Sequence, residues 1–555
     1  MVIETGNKYD VIILGTGMAG TIVGAILARQ GVSVLLIDAK VHPRFAVGES
    51  TIPHTSLLLS LLAERYGVPD IEHIAFPDRI ARYVCSSCGI KRSFGFAYHR
   101  PGQVYDPREG LQFGTSSKDE NHLFRQDIDA YLLYVAVHYG AAVRQNTKVT
   151  EIAIDQQGVT LQTAVGEAFH AQYLVDGTGY ESQLAQRYNL REKPTSLKHH
   201  SRTLFTHMID VKPFQEGDNP LSLSWHQSTL HHVFERGWFW VIPFNNQPLS
   251  TNPLISVGLT IDPRRYPKPD MPPEREFQQF LDCFPSVAEQ LKEAKTVRPW
   301  VSTGRLQYSS TRCTGYRFCL MSHAAGAVDP LFSRGLINTS ELILALLDPL
   351  LAALQDGDFA DERFRHLECR QRRVLAYNDR LVNCAFTSWA DFDLWNAWLR
   401  VWALGTILTE YRLMNALADY TTTRDPACLQ GEANNPVFSE FEDPDYAVFF
   451  NRAAALMESF EAGWERSPDQ ARAGETAEQI FALTGEYEFP VPLRREAMRR
   501  AGWLAEDKDI SDRNIEAARR GYRWALTNPT SRDLFGNVHA FYRWRSQEPD
   551  PHLGV

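Results

Sequence analysis

The sequence YDVIILGTGMAG, residues 9 to 20, decides the fold at the start of this 555-residue chain. Residues 9 to 14 are apolar and rich in β-branched side chains, which predicts a strand, and residues 21 to 30 predict a helix that ends at Gly31. Residues 33 to 37 predict the next strand. Parallel strands joined by a crossover helix belong to a doubly wound sheet with both faces covered. We therefore predict an α/β fold.

The glycines between the first strand and helix form the pattern Gly-x-Gly-x-x-Gly. Gly15 permits a tight turn, Gly17 lets the backbone approach a pyrophosphate, and Gly20 allows close packing of helix and strand. The helix N-terminus adds unpaired N–H groups and a dipole that favours an anion. Asp38, at the end of the second strand, can accept a hydrogen bond from a ribose hydroxyl. The motif predicts a dinucleotide site but does not separate NAD from FAD.

The remainder of the chain divides into an insert and a helical region. Between about residues 200 and 300, aromatic residues, prolines and short alternating segments predict an antiparallel sheet inserted in the nucleotide-binding domain, on the side where a substrate would lie. Helical periodicity dominates from residue 340, so we predict a core over residues 1–345 and a helical region over residues 346–555. The tryptophans of the helical region favour core packing over an aromatic substrate box: Trp389, Trp395, Trp398 and Trp402.

Composition and charge exclude several classes of protein. With 44% hydrophobic and 22% charged residues, the chain is neither disordered nor a disulfide scaffold. A formal net charge of -10 without a basic block argues against nucleic acid as a partner. The start, MVIETGNKYD, has no apolar stretch typical of secretion signals, which favours the cytoplasm. The longest apolar run, Leu342 to Leu354, contains Asp348-Pro349 and predicts a buried helical hairpin instead of a transmembrane segment.

The eight cysteines favour reduced thiols over a disulfide framework in a chain of this length. Cys85 and Cys88 are the one close pair. Such a pair can be a redox-active dithiol or half of a zinc site, but zinc needs four ligands and no second pair or nearby histidine pair completes the set. We therefore expect no metal site, and a functional dithiol is the less favoured interpretation.

One turn and one arginine resemble the flavin monooxygenases and halogenases. Residues 47–51, VGEST, resemble the turn beside the flavin ring in those families, which implies contacts from Gly48, Glu49 and Ser50. Arg125 resembles their FAD-contacting arginine. The resemblance implies that the dinucleotide is FAD.

A later segment resembles the second flavin motif of the same families. Residues 322–330, SHAAGAVDP, match most of that motif, which implies cofactor contacts from Asp329 and Pro330. Ser322-His323 stands where a Gly-Asp pair is usual. This departure removes the carboxylate that contacts the ribityl chain in the family.

Residues 238–243, WFWVIP, match the WxWxIP motif of flavin-dependent halogenases. An aromatic strand is the simpler alternative, because residues two apart share a face and tryptophan packs well there. In the family, the residues corresponding to Trp238 and Trp240 keep the substrate away from the flavin. Reduced FAD and O2 then oxidise chloride or bromide to hypohalous acid and do not hydroxylate the substrate.

Lys91, in the segment CGIKRSFGF over residues 88–96, resembles the catalytic lysine of the phenol- and pyrrole-acting halogenases. The resemblance implies that Lys91 passes the halogen to a ring carbon, either by a hydrogen bond to hypohalous acid or as a haloamine. Without the family, Lys91-Arg92 would be interpreted as a solvated basic pair.

The residues after Asp-Pro bear on the halide and on the substrate. Ser333, Arg334 and Gly335 resemble the loop whose backbone N–H groups hold the halide near the flavin. Phe332 stands where tryptophan-acting members have a glutamate, which favours an electron-rich, phenolic substrate. The resemblance covers most of residues 9 to 345 and is greatest to halogenases of phenolic polyketides. In that family the helical C-terminal third carries substrate specificity.

Two alternatives remain open from the sequence. An FAD-dependent aromatic hydroxylase shares the cofactor and oxygen, and a catalytically silent FAD-binding or carrier-docking protein shares the fold. Because the chain has a single dinucleotide motif, we expect a separate flavin reductase to supply FADH2. The sequence does not tell whether the aromatic substrate is free or tethered to a carrier protein.

Overall fold

The computed structural model describes residues 7–114, 119–215, 221, 223–429, 439–464, 469–488, 494, 497 and 523–534. In this part of the chain the strands are numbered β1 to β19 and the helices α1 to α13 in sequence order. The first sheet has six strands in the order β18-β19-β11-β1-β2-β7. Its strands are β1 (Val11–Leu14), β2 (Val34–Ile37), β7 (Ala142–Arg144), β11 (Tyr173–Asp176), β18 (Thr314–Gly315) and β19 (Phe318–Leu320).

The predicted β-α-β unit is present at the start of this sheet. β1 pairs in parallel with both β2 and β11, and helix α1 (Met18–Arg29) connects β1 to β2. Every residue of β1 and β2 is buried, as expected for strands covered on both faces. The helix begins at Met18, before the predicted start at residue 21, so Gly20 lies in its first turn.

The second sheet has eight strands and confirms the predicted insert, but it also includes strands from outside it. The order is β16-β12-β15-β14-β13-β4-β5, with β17 paired to β12, and the β13–β4 pair is parallel. Two strands come from before the insert, because the chain enters the second sheet first between β2 and β7 and again between β11 and β18. The strands are β4 (Ser93–Tyr98), β5 (Gly110–Gly114), β12 (Arg202–Ile209), β13 (Ser228–Phe234), β14 (Gly237–Pro243), β15 (Ile255–Ile261), β16 (Lys295–Thr296) and β17 (Val301–Ser302).

Two small antiparallel sheets complete the β-structure of the described chain. One joins β8 (Val149–Ile154), β9 (Val159–Thr163) and β10 (Ala168–Ala171). The other pairs β3 (Gly89–Lys91) with β6 (Glu120–His122). The second pair brings Lys91 opposite Glu120.

Helices cover the sheets and dominate the last third of the described chain. Those of the first two thirds are α2 (Pro53–Tyr66), α3 (Pro77–Tyr83), α4 (Arg125–His138), α5 (Gln183–Arg187), α6 (Pro273–Cys283), α7 (Pro285–Leu291) and α8 (Ser322–Ala325). Those that follow are α9 (Gly335–Asp356), α10 (Arg365–Ser388), α11 (Phe392–Thr423), α12 (Pro444–Trp464) and α13 (Gln470–Glu486). The predicted core packing of the four tryptophans is confirmed, since all of them are fully buried: Trp389, Trp395, Trp398 and Trp402.

The apolar run over residues 342–354 lies within one continuous helix, so the predicted helical hairpin is wrong. α9 continues through Pro349 to Asp356. Asp348 therefore lies inside the helix and not in a turn. Its carboxylate lies on the helix surface, where it pairs with Arg65 and accepts a hydrogen bond from the Tyr66 hydroxyl at 2.9 Å. α9 also spans residues 345 and 346, so the expected domain boundary falls inside a helix.

By length and apolar composition alone, α9 is the one helix of the described residues that could cross a membrane. Most of its apolar stretch is buried inside the protein. Its buried residues belong to the same hydrophobic cluster as β1 and α11. The helix is therefore the central core helix that joins the first sheet to the helical region.

Candidate active site

Of the three glycines in the turn after β1, only Gly17 has open space where a side chain would be. Gly15 has a φ of +90°, and a Cβ placed there would lie 2.9 Å from the carbonyl oxygen of Gly177. A Cβ at Gly20 would overlap the carbonyl oxygen of Gly15. By contrast, a Cβ at Gly17 would meet no described atom within 4 Å. This geometry fits a pyrophosphate that approaches the backbone at Gly17.

Asp38 directs its carboxylate to the same turn from the end of β2. Its Oδ2 accepts hydrogen bonds from the backbone N–H and the hydroxyl of Thr16 at 2.8 and 2.7 Å, and Oδ1 accepts from the N–H of Lys40 at 2.8 Å. Arg44 forms an ion pair with Oδ2 at 2.9 Å. Burial raises the pKa of the Asp38 carboxyl, but these contacts outweigh it and hold the pKa below its ordinary value. Asp38 is therefore a fixed anion, which suits an acceptor for a ribose hydroxyl.

The turn over residues 47–50 is held to the start of α4 by Arg125. The guanidinium Nη1 donates to the carbonyl oxygens of Val47 and Gly48 at 2.7 and 3.1 Å, and Nε and Nη2 pair with Asp129 at 2.8 and 3.0 Å. Gly48 has a φ of +96°, and a Cβ there would lie 3.0 Å from Nη1 of Arg125. The backbone conformation at Gly48 therefore favours glycine. Arg125 fixes the turn, and its direct contact with FAD stays a prediction.

Glu49, the middle residue of this turn, is buried and directed towards the second sheet. Its Oε1 lies 3.5 Å from Nε2 of His207 on β12. Its carbonyl oxygen accepts a hydrogen bond from the N–H of Leu123 at 2.6 Å. The turn is thus connected to both the second sheet and the chain that leads into α4.

Lys91 is fully buried at the end of β3. Its Nζ donates hydrogen bonds to Ser50 Oγ at 2.8 Å and to the carbonyl oxygen of Thr51 at 2.9 Å, and it lies 3.3 Å from the centre of the Phe94 ring. Burial lowers the pKa of the Lys91 amine well below its ordinary value, and the charge of Glu120 opposes this effect. Lys91 is not a solvated surface lysine. A neutral amine in this position can act as a nucleophile.

Ser50 also contacts the loop that precedes α9. The hydroxyl of Ser333 donates to Ser50 Oγ at 3.1 Å. The backbone N–H of Ser333 donates to the carbonyl oxygen of Pro330 at 2.9 Å, so this N–H is used within the loop. Gly335 begins α9, and the first N–H groups of a helix have no partner within the helix. An anion beside this loop would therefore bind to the N–H groups at the start of α9.

The side chain of Arg334 is directed away from this loop into the helical region. It forms an ion pair with Glu440 at 2.6 Å, with both side chains buried, and lies 5.3 Å from the centre of the Tyr377 ring. The charge of the guanidinium is thus neutralised by Glu440. Nε of Arg334 has no hydrogen-bond partner among the described residues, and halide binding by residues 333–335 stays a prediction.

Trp238 and Trp240 lie on one face of β14, in the core cluster of the first sheet, whereas Phe239 packs in the separate core of the second sheet. The centres of the two indole rings are 5.6 Å apart, with an interplanar angle of 45°. Nε1 of Trp240 donates to Ser256 Oγ at 3.1 Å. The ring occupies the place where a Cβ of Gly258 on β15 would be. Glycine at that position therefore makes room for the second tryptophan.

The carboxylate of Asp329 is occupied by protein groups. Oδ2 accepts a hydrogen bond from the Ser201 hydroxyl at 2.7 Å and lies 3.3 Å from Nε2 of His199, and Oδ1 accepts from the N–H of Leu331 at 3.1 Å. These contacts fix the loop that Asp329 begins. Pro330 is exposed beside it. Cofactor contacts from either residue stay predictions.

The unusual Ser322-His323 pair lies in α8, next to the start of α9. Ser322 Oγ is 2.8 Å from the hydroxyl of Thr339. The His323 side chain is exposed, and a Cβ at Gly335 would lie 3.0 Å from its Nε2. The substitution therefore puts an imidazole, where the family has a carboxylate, beside the first residue of α9.

A family model described as an FAD binding domain matches residues 8–274. Two relatives match more of the chain. Monodechloroaminopyrrolnitrin halogenase PrnC of Pseudomonas fluorescens is 48% identical over 495 residues, which are 88% of this chain and 86% of PrnC. Tetracycline 7-halogenase of Kitasatospora aureofaciens is 47% identical over 475 residues, which are 84% of this chain and 86% of the relative. The chain belongs to the flavin-dependent halogenases.

A solved structure agrees with this membership. The crystal structure of halogenase PltM in complex with phloroglucinol and FAD has a TM-score of 0.82 and 37% identity, and covers 86% of the present halogenase and 96% of PltM. The predicted family, the FAD-binding α/β fold and the enzymatic nature of the chain are confirmed.

Phe332 of this halogenase packs against the helical region. Its ring stacks on Trp402 with the centres 4.8 Å apart and an interplanar angle of 20°. Trp402 also contacts the rings of Phe94 and Phe113, each at 5.0 Å between centres. Because Phe94 lies against Lys91, Trp402 connects α11 to the site through this aromatic contact.

Glu120 is a residue of the site that the sequence did not reveal. It lies directly across from Lys91 in the β3–β6 pair. Its Oε2 accepts hydrogen bonds from the hydroxyls of Thr51 and Ser56 at 2.8 and 2.7 Å, and its Oε1 has no partner among the described residues. Burial raises the pKa of Glu120 to about 7, although the two hydroxyls and Lys91 lower it. No local motif marks Glu120, since only strand pairing brings it to Lys91.

Glu410 on α11 is a second buried carboxyl of this region. Burial raises its pKa well above the ordinary value, and the charge of Glu120 raises it further. Its Oε1 has no hydrogen-bond partner in the described part of the chain. The helical pattern around Glu410 predicts a core helix and gives no sign of a buried acid.

Proposed function

We propose that this halogenase oxidises chloride or bromide with FADH2 and O2 and transfers the halogen, through Lys91, to an electron-rich, phenolic aromatic substrate. The observation that carries the proposal is the pair of hydrogen bonds at Ser50. Its Oγ lies 3.1 Å from Ser333 Oγ and 2.8 Å from Lys91 Nζ. One hydroxyl thus connects the loop proposed for the halide, the turn proposed for the flavin and the buried amine.

FAD, when bound in its reduced form, supplies together with O2 the oxidising power for the halide. The open space at Gly17 would hold the pyrophosphate, and Asp38 would accept a hydrogen bond from the ribose. Arg125 keeps the Gly48 turn in position. The N–H groups at the start of α9, near Gly335, would bind the halide. A separate flavin reductase is the proposed source of FADH2.

The two tryptophans and Lys91 would separate halide oxidation from halogen transfer. Trp238 and Trp240 form an aromatic wall that would keep the substrate from the flavin. The neutral amine of Lys91 can take the halogen from hypohalous acid. The HO–X bond then breaks as the N–X bond forms, and the displaced hydroxide leaves as water with a proton from the amine. A hydrogen bond from protonated Lys91 to intact hypohalous acid would polarise the halogen in the same direction.

The surroundings of Phe332 support an electron-rich aromatic substrate. Phe332, Trp402 and Phe94 form aromatic contacts beside Lys91, and the carboxylate that tryptophan-acting relatives have after Asp-Pro is absent from position 332. Among the relatives, PltM was crystallised with phloroglucinol, and another is named a tetracycline 7-halogenase. Both compounds carry hydroxyl groups on an aromatic ring.

Glu120 is the side chain that we infer to accept the proton of the substrate hydroxyl. Its Oε1 is free among the described residues, and its pKa of about 7 suits a base that works near neutral pH. The proton moves to Oε1 while the electron pair of the O–H bond enters the ring. The ortho and para carbons then become the nucleophiles for the halogen that Lys91 holds.

Product analysis tests this function. A panel of free and carrier-linked phenols is incubated with the enzyme, FAD, a flavin reductase, NADH and chloride or bromide, and the products are identified by mass spectrometry. We expect replacement of a ring hydrogen by halogen that requires both halide and O2. A hydroxylated product that forms equally well without halide would contradict the proposal.

A further inference from the structure

The loop that leads into β3 brings two thiols together. We propose that Cys85 and Cys88 form a redox-active dithiol, which hydrogen peroxide converts to a disulfide, and that this oxidation weakens FAD binding through Phe124. The two Sγ atoms are 3.8 Å apart, and both cysteines are free. The sequence alone left this pair as the less favoured interpretation, and its geometry is what changes the conclusion.

The two thiols differ in exposure and in pKa, as the attacking and the resolving thiol of a redox-active pair do. Cys85 is partly exposed, whereas Cys88 is buried. The hydrogen bond from the Cys88 thiol lowers the pKa of Cys85 to about 7, and the backbone N–H of Ser87 acts in the same direction, against the effects of burial and of Asp127. The same hydrogen bond and burial raise the pKa of Cys88. Peroxide would therefore meet a reactive thiolate at Cys85 and a protonated partner behind it.

The loop backbone keeps the sulfur atoms close. The side chain of Gln247 donates to the carbonyl oxygen of Cys88 at 2.7 Å, and that of Asn252 donates to the carbonyl oxygen of Ser87 at 2.9 Å. The backbone N–H of Thr251 donates to the carbonyl oxygen of Ser86 at 2.9 Å. Within the described residues, no group of three metal-binding side chains includes the pair. The contacts from Gln247, Thr251 and Asn252 thus hold the carbonyl groups of three successive loop residues.

The oxidation balances with hydrogen peroxide as the only co-reactant. The Cys85 thiolate attacks one peroxide oxygen, the O–O bond breaks, and a sulfenic acid and hydroxide form. This hydroxide becomes water with the proton that Cys85 released when it became a thiolate. The Cys88 sulfur then attacks the Cys85 sulfur. The S–O bond breaks, and the second hydroxide takes the Cys88 proton and leaves as water. The protein loses two hydrogens, and the peroxide is reduced to two molecules of water.

Cys88 is connected directly to the flavin-binding elements. Its Sγ accepts a hydrogen bond from the backbone N–H of Phe124 at 3.2 Å, and Phe124 is the N-cap residue of α4. The next residue, Arg125, holds the turn at Gly48. A disulfide requires an S–S distance of about 2.0 Å, so the sulfurs must move towards each other. A shift of Cys88 Sγ towards Cys85 changes its 3.2 Å hydrogen bond with the N–H of Phe124, and with it the start of α4.

The test uses the wild-type protein, which carries its own control thiols. Cys283 and Cys369 are exposed single cysteines and have no partner thiol in the described structure. Limited peroxide treatment is followed by intact mass measurement, alkylation mapping and FAD titration. We expect Cys85 and Cys88 to be lost together as an internal disulfide before Cys283 or Cys369 reacts. We expect FAD affinity to fall about fivefold, the effect of one weakened hydrogen bond, and dithiothreitol to restore it.

A Cys85→Ser variant separates this effect from general oxidation, with Cys283→Ser as the matched control. We expect the first variant to keep its FAD affinity in peroxide and the second to respond as the wild type does. Preferential oxidation of Cys283 or Cys369 would overturn the dithiol. Equal FAD affinity of the oxidised and reduced wild type would overturn the connection through Phe124.

Discussion

Ser50 Oγ lies 2.8 Å from Nζ of Lys91, so the turn proposed for the flavin and the buried amine share a direct hydrogen bond. The same oxygen lies 3.1 Å from Ser333 Oγ and 2.8 Å from Thr229 Oγ1. A hydroxyl with these neighbours has little freedom to rotate. The relative position of Lys91 and the loop before α9 therefore depends on one small side chain.

Replacing Ser50 by alanine is expected to reduce halogenation selectively. The loss of one hydrogen bond to the amine, worth roughly 1 to 2 kcal/mol, should reduce the rate of halogenated product formation about tenfold. Oxidation of reduced flavin, followed by absorbance in the same samples, should fall less than product formation. Ser60→Ala is the control, because the Ser60 hydroxyl, on α2, donates to Glu72 at 3.0 Å. Equal halogenation by the two variants would argue against the role of Ser50.

Two glycines of the first turn should respond differently to substitution. Gly17→Val should fold but lose FAD binding, because its side chain would fill the space left open for the pyrophosphate. Gly20→Ala should lower the free energy of unfolding by about 1–3 kcal/mol, because its Cβ would overlap the carbonyl oxygen of Gly15. Flavin titration and thermal unfolding measure the two effects. A folded Gly17→Val protein with undiminished FAD affinity would remove this turn from the cofactor site.

Glu120 should make the unfolding free energy depend on pH. Its pKa rises from 4.5 to about 7 on folding, so the protonated form is favoured in the folded state. The contribution of Glu120 is fully present below pH 4.5 and is lost as the pH rises to about 7. Glu120→Gln should therefore gain about 3 kcal/mol relative to wild type across this range. Denaturant unfolding at several pH values measures the difference, which includes the loss of the Glu120 charge that acts on Lys91 and Glu410. A difference that does not change with pH would disprove the raised pKa.

The substrate class gives a further prediction. A phenol that loses its proton gains electron density at the ortho and para carbons, whereas a methyl ether cannot ionise. We expect ortho- or para-halogenation of a polycyclic or carrier-linked phenol, a large loss with the methyl ether, and little reaction with free tryptophan. Mass spectrometry of the three reactions measures this order. Efficient chlorination of tryptophan, or indifference to methylation, would refute the phenolic class without affecting membership in the halogenase family.

The sequence predicted those parts of the molecule whose determinants are contiguous in the chain. The first β-α-β unit follows from residues 9 to 37, and the aromatic strand β14 follows from one short motif. Glu120 and Glu410 could not be predicted, because they reach the site through strand pairing and helix packing. The hairpin expected at Asp348 was wrong for the same reason, since its contacts to α2 lie far away in sequence.

The role of Lys91 is the central claim, and a single reaction tests it. Lys91→Met keeps the length of the side chain but removes the amine, and Lys212→Ala, an exposed lysine paired with Glu289 at 3.3 Å, is the control. Reduced flavin oxidation and halogenated product are measured together, with chloride and a phenolic substrate. We predict normal flavin oxidation and a loss of product of at least about a hundredfold for Lys91→Met only. Product formation by Lys91→Met at the wild-type rate would contradict the account.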